Sequence, residues 1–252
     1  MPLMFWKAPS ASPIRVRPPT ISEDGPHISI RKQAADALAQ RVGEVIRYAV
    51  RARGRASLLV PGGRTPVPLF EALSGIDLPW ESVYVSLTDE RRVPPADPAS
   101  NARLVDEYLL NGQAADAHFY PLHREGIDAR ADEAACGAAL SMLPRPFDAV
   151  ILGMGTDGHT ASLFPGDPSL ARGLDPDTEA HCVATRAPDA PYDRLSLTLH
   201  TLTSSRWIAL HISGQEKWQT LQSGIRAGDP QRFPVLAVLS QKKVPTHVYW
   251  SA

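Results

Sequence analysis

The sequence predicts an α/β protein built on a mainly parallel sheet with helices on both faces. Three observations carry that prediction. Short apolar, β-rich runs alternate along the chain with segments of helical periodicity, the order that yields a parallel sheet covered on both sides. The 24 prolines fall mostly between those periodic segments and punctuate them. A chain of 252 residues, 43% of them hydrophobic, is long enough to bury a sizeable core.

The elements follow in order. Residues 1–27 are proline-rich at their start and are expected to form an extended arm before a single α/β domain spanning residues 1–252. In "AADALAQRVGEVIRYAVRARG", residues Ala34, Leu38, Val42, Val45, Ile46 and Ala49 fall near helical spacing, and Gly54 stands where the helix should end. "ASLLV" reads as a strand, "PGGRTP" as a turn and "VPLFEAL" as a helix. "VYVSL" is then followed by a polar loop and the helical "NARLVDEYLL". "FDAVIL" leads into a glycine-rich loop, and "DPSLARGLDPDTEAHC" reads as a long surface loop. Further apolar segments are "RLSLTLHTL", "RWIALHIS" ahead of "GQEKWQTLQ", and "PVLAVLS" ahead of "THVYW". There is no fixed-period repeat.

The loop "GMGTDGHTASLFPG" contains Gly153, Gly155 and Gly158 at the spacing of a dinucleotide-binding turn. That fingerprint also needs a sustained helix after it and an acidic residue about 20 positions on, at the end of a strand. Here the chain meets Pro165 soon after Gly158, and Asp175 and Asp177 lie in a proline-containing loop. Nucleotide binding is therefore not expected. The loop does place Asp157 and His159 at the carboxyl end of an apolar strand, the edge where open α/β sheets hold ligands. Histidine exchanges a proton near neutrality. An Asp-x-His pair elsewhere is more often a capped turn; this location favours function.

A second strand end carries "PGGRTP". Thr65 could serve as N-cap with Pro66 at the first helical position, leaving the amides around Gly62 and Gly63 free to face an anion. Viewed alone, the glycine pair is equally a tight turn. A third strand end carries "LTDERRVPPADPASN", where Asp89 and Arg91 could project over the same edge; by itself, such a charge run is equally a solvated face. The eight histidines show no His-Glu-x-x-His motif and no Cys/His cluster, so no metal is expected. His118 and His123 read as strand-edge residues. Ser162 lacks the flanking glycines of a nucleophile elbow.

Lysine and arginine total 26 against 27 acidic residues, so no overall field would steer the chain to nucleic acid or an anionic membrane, and neither is an expected partner. No apolar run approaches the roughly 20 residues of a membrane span, and the first residues carry no signal-peptide core. Cys136 and Cys182 form no close-spaced motif, and the simpler reading is a reducing, cytoplasmic compartment.

Together, "PGGRTP", "DERRVP" with Ser100 and Asn101, and "FDAVILGMGTDGHTASLFPG" closely resemble, in order and spacing, the three signature blocks of the 6-phosphogluconolactonase family, over roughly residues 30–240. The resemblance implies a Rossmann-like α/β fold, here expected with a small additional β element. It also implies hydrolysis of 6-phospho-D-glucono-1,5-lactone, a small sugar-phosphate lactone, without a cofactor, by a monomer or small homo-oligomer. By position, His159 matches the family's catalytic histidine, and Asp157 and Asp89 its nearby carboxylates. Gly62, Gly63 and Thr65 match the phosphate loop, and Arg91 the arginine of the second block. Arg194 and Lys217 match basic positions that approach the sugar phosphate in the wider group. Arg64 departs from the serine common there and could add a charge to the phosphate or point away.

Related amino-sugar-phosphate deaminases carry Asp-Glu-Tyr in the second block and a glutamate after the histidine of the third; this chain has neither. A sugar-phosphate sensor or an NAD(P)-dependent oxidoreductase are the remaining readings. The first would need a DNA-binding module, and the second a complete dinucleotide fingerprint.

Overall fold

A computed structural model describes residues 6–7, 27–186 and 192–252. The chain begins with β1 (Trp6–Lys7) and α1 (His27–Arg53), followed by β2 (Ala56–Val60), α2 (Val67–Ser74), β3 (Val83–Leu87), β4 (Asp89–Arg91) and α3 (Asn101–Tyr108). Then come β5 (His118–Tyr120), α4 (Ala129–Ser141), β6 (Ala149–Leu152), α5 (Leu170–Leu174), β7 (Cys182–Arg186) and β8 (Asp193–Leu197). The last elements are α6 (Leu199–Leu202), β9 (Ile208–Ser213), α7 (Gln215–Ala227), α8 (Val235–Ser240) and β10 (Thr246–Ser251).

The main sheet has the order β1-β10-β9-β6-β2-β3-β5, parallel throughout except for β1. Every side chain of β2 and β6 is buried, as strands with helices on both faces require. The α1 residues Leu38, Val42, Ile46 and Ala49 pack into the core at no exposure, and Gly54 ends the helix by donating its N–H to Val50 O at 2.7 Å. A second, antiparallel sheet β4-β8-β7 stands beside the first and is the small additional β element.

From β2 the chain builds outward to β3 and β5; from β6 it builds the other way, to β9 and β10. The strand order therefore reverses between β2 and β6. Loops leaving the carboxyl ends of these two neighbours diverge to opposite faces and leave a crevice between them, which is where such sheets bind ligands.

The structure corrects several sequence expectations. The expected loop from Asp167 onward contains α5, because Leu170 and Leu174, one helical turn apart, reach the core together. The polar loop after β3 begins as β4, which is paired with β8. Helix α1 starts at His27, earlier than its apolar spacing suggests. Most of the expected arm lies outside the described residues; within it, Trp6–Lys7 pairs with Val248 and His247. His118 lies on the edge strand β5, whereas His123 lies beyond it, its Nδ1 2.6 Å from the buried Asp132. Cys136 and Cys182 are joined as a disulfide that ties α4 to β7, with both residues buried. Sequence spacing says nothing of their Cα separation, 6.4 Å, so the pairing is visible only in the fold.

Candidate active site

The crevice holds a cleft of about 190 Å³. Into it β2 delivers Gly62, Gly63, Arg64 and Thr65; β3 leads through Thr88 to Asp89 and Arg91; β6 delivers Gly153, Gly155 and His159. From the far side come Arg194 on β8, His211 on β9 and Lys217 in the first turn of α7. Of the residues expected to form a site, only Asp157 is outside the lining, and it is bonded to His159. Among the described residues six buried side-chain polar atoms lack a partner, and four of them belong to this lining: Arg91 Nε, Asn101 Oδ1, Arg194 Nε and His211 Nδ1. Buried polar groups are normally satisfied, so such a concentration marks a place prepared for a polar ligand. A larger hollow, about 680 Å³, opens at the amino ends of β6, β9 and β10, and its lining contributes one such atom, Trp207 Nε1. The site is therefore assigned to the smaller cleft.

The loop after β6 aims His159. Gly158 donates its N–H to Gly155 O at 3.1 Å and Gly155 donates back to His159 O at 3.0 Å, closing a tight turn. Asp157 Oδ1 accepts from the His159 backbone N at 3.1 Å and from its Nδ1 at 2.6 Å. Burial works against the Asp157 carboxylate, but the hydrogen bond and charge of His159 outweigh it and hold the pKa below the ordinary value. An ionised Asp157 keeps the ring proton on Nδ1 and leaves Nε2 as the basic nitrogen. The ring lies 4.5 Å from that of Phe164, whose face Arg194 also covers at 5.7 Å. Gly155 leaves room for the ring, since a Cβ there would fall 2.2 Å from His159 Cε1.

The cationic half rests on the second sheet. Arg91 on β4 stands directly opposite Arg194 on β8 in the antiparallel register. Like charges across a strand pair repel; burial and then the Arg91 charge both lower the Arg194 pKa. Two facing guanidiniums with unpartnered Nε groups are the arrangement an anion would complete. Arg91 is held by its Nη1, which donates to Ala99 O. The buried Glu90 accepts backbone N–H bonds from Asn101 and Ala102, each at 2.7 Å, and so fastens the start of α3 to β4. Burial raises its pKa despite those bonds. Asp89 accepts from Ser162 Oγ at 2.7 Å, which ties this sheet to the His159 loop and gives Ser162 a structural task.

The loop expected to face an anion lines the cleft, but Thr65 does not cap the helix that follows it. Helix α2 starts one residue later than expected: Pro66 is its N-cap residue, and no side chain caps it. Thr65 instead lines the cleft. Gly62 presses against Asn101, where a Cβ would lie 1.9 Å from Oδ1, and Arg64 lines the mouth with its side chain exposed. Sequence reasoning misses His211, and Glu90, Asn101 and Phe164 enter it only as parts of motifs.

His211 is 4% exposed, and burial, with the Lys217 charge adding to it, lowers its pKa to about 4. Burial likewise lowers the pKa of Lys217. For His211 the folded pKa lies below the unfolded value near 6.5, so its contribution to stability is complete above pH 6.5 and is lost as pH falls towards 4. Urea unfolding at pH 7.5 and pH 5 should show the wild type losing about 2 kcal/mol more than His211→Leu over that interval. Equal losses would rule out a buried neutral histidine.

Comparison with known proteins gives a consistent set of relatives. Residues 29–250 match the family model described as glucosamine-6-phosphate isomerases/6-phosphogluconolactonase. A 6-phosphogluconolactonase of Rhizobium meliloti (strain 1021) is 42% identical over 86% of this chain and 94% of its own. One of Pseudomonas putida is 42% identical over 87% and 89%. A crystal structure of a 6-phosphogluconolactonase from Shewanella baltica OS155 superposes with a TM-score of 0.85 at 41% identity, covering 88% of this chain and 94% of that one. A monomeric glucosamine-6-phosphate deaminase shares the fold at a TM-score of 0.68 and 19% identity, over 87% and 93%.

Proposed function

The chain belongs to the glucosamine-6-phosphate isomerase/6-phosphogluconolactonase family, and on that footing we propose that it hydrolyses 6-phospho-D-glucono-1,5-lactone to 6-phospho-D-gluconate, the second step of the oxidative pentose phosphate pathway. The observation that carries this reading is the cleft itself: a carboxylate-oriented imidazole opposes two facing guanidiniums, so one small molecule can offer an ester to the first and a phosphate to the second.

The lactone carbonyl is already electrophilic, so the protein has chiefly to place a water and move one proton. His159 Nε2 takes a proton from water as its oxygen bonds to C1. The carbonyl π pair moves to the carbonyl oxygen, giving a tetrahedral oxyanion. As that intermediate collapses, the C1–ring-oxygen bond breaks and the imidazolium returns its proton to the departing ring oxygen. Asp157 orients the ring and stabilises its charged form. Arg91, Arg194 and Lys217 hold the phosphate together with the amides of Gly62 and Gly63 and the hydroxyl of Thr65. Arg64 adds charge at the mouth, and Asp89 keeps the Arg91 strand against the His159 loop. No cofactor enters this scheme.

The test is lactone hydrolysis followed as 6-phosphogluconate formation, corrected for spontaneous opening, with glucosamine 6-phosphate offered in parallel. Turnover of the lactone and none of the amino sugar is expected; the reverse preference would overturn the proposal.

A further inference from the structure

His211 has no task in the scheme above. It projects from the carboxyl end of β9 into the cleft, nearly fully buried, with Nδ1 bonded to nothing among the described residues. A buried nitrogen without a partner is a cost to the free protein. In a core it would be replaced or paired; on a residue that lines a binding cleft it is a group able to hydrogen-bond a ligand.

The neighbours say which kind of atom. Lys217 stands beside His211, and both arginines line the same cleft, so a further positive charge is disfavoured at that point and the imidazole stays neutral. A neutral ring adds no charge to the grip on a phosphate. It offers one hydrogen bond of ordinary strength, suited to a hydroxyl group. The partnerless Oδ1 of Asn101 can take only a donor, so the lining asks for hydroxyls as well as an anion.

We propose that His211 is a specificity-determining residue that hydrogen-bonds a hydroxyl of the sugar portion of the ligand, separating a polyhydroxylated phosphate ester from a bare phosphate. This rests on the lactonase reading above and adds the group that reads the sugar.

Two properties follow that a merely structural histidine would not show. Replacing His211 with leucine removes an unsatisfied polar atom, so the melting temperature at pH 7.5 should hold or rise while binding weakens. The weakening should depend on hydroxyls. In calorimetric titrations of the whole chain, His211→Leu should bind 6-phosphogluconate about tenfold more weakly than wild type, as loss of one neutral hydrogen bond implies. Inorganic phosphate should bind both proteins within twofold. His211→Asn, which can return an amide nitrogen near the Nδ1 position, should recover most of the loss.

Unchanged 6-phosphogluconate binding by a folded His211→Leu overturns the inference and leaves the lactonase reading standing. A parallel loss of inorganic phosphate overturns it in favour of a charge or packing role, and a fall in melting temperature assigns His211 to the fold. Failure of wild type itself to bind 6-phosphogluconate would remove both readings together.

Discussion

His159→Gln should lower kcat by about a hundredfold to ten-thousandfold, the usual worth of a positioned general acid and base, while KM and 6-phosphogluconate affinity stay within about twofold. The size of the expected loss follows from what the substitution leaves in place. Glutamine is of comparable length, and the backbone N–H of residue 159 still donates to Asp157 Oδ1, now at 3.1 Å, so the loop and the cleft keep their shape. It lacks a nitrogen that accepts a proton near neutrality. Arg91 and Arg194 lie on the other sheet, so the anion grip proposed for them is left untouched. Initial rates measured above the spontaneous background, with calorimetry of the product, provide the check. Turnover equal to wild type would remove His159 from the mechanism.

Gly155→Ala should reach nearly as far by a different route. The added methyl would lie 2.2 Å from His159 Cε1, 2.3 Å from Nδ1 and 2.5 Å from Asp157 Oδ1, separations that no real Cβ tolerates. All three atoms belong to side chains, so the backbone survives and the imidazole and its carboxylate move together. A displacement of about 1 Å at a reacting group costs on the order of a hundredfold. We therefore expect kcat to fall by about that factor, with KM and melting temperature little changed. Gly75→Ala, whose Cβ would meet nothing nearer than 3.8 Å, serves as the control for glycine replacement. Full activity in Gly155→Ala would mean that the ring is not held where the structure has it.

The site was unevenly legible in the sequence. Gly62, Gly63, Asp89, Arg91, Asp157 and His159 follow apolar runs directly, and a strand end can be read from its own few residues. Arg194 and Lys217 came only through family resemblance, because neither has a local signature. His211 was invisible: it sits inside the apolar run "RWIALHIS", and a strand histidine is unremarkable until its neighbours are known. The capping assigned to Thr65 failed by one residue at the start of α2, the scale on which helix boundaries are least determined by composition. The short α5 reads as a loop in the sequence because two prolines and three aspartates surround a helical segment of one turn and a half.

What the sequence determined by itself was the alternation of strand and helix, hence the parallel sheet, and the identity of those groups at its carboxyl edge that follow β2, β3 and β6. Those depend on periodicity and turn chemistry, which act between residues close along the chain. Only the tertiary structure decided which groups face one another. Strand β4 pairs with β8 and sets Arg91 against Arg194, β6 lies between β2 and β9 and opens the crevice, and Cys136 meets Cys182. Such pairings arise when distant segments bury their apolar faces together, and charge repulsion, burial and unsatisfied hydrogen bonds exist only once that burial has happened.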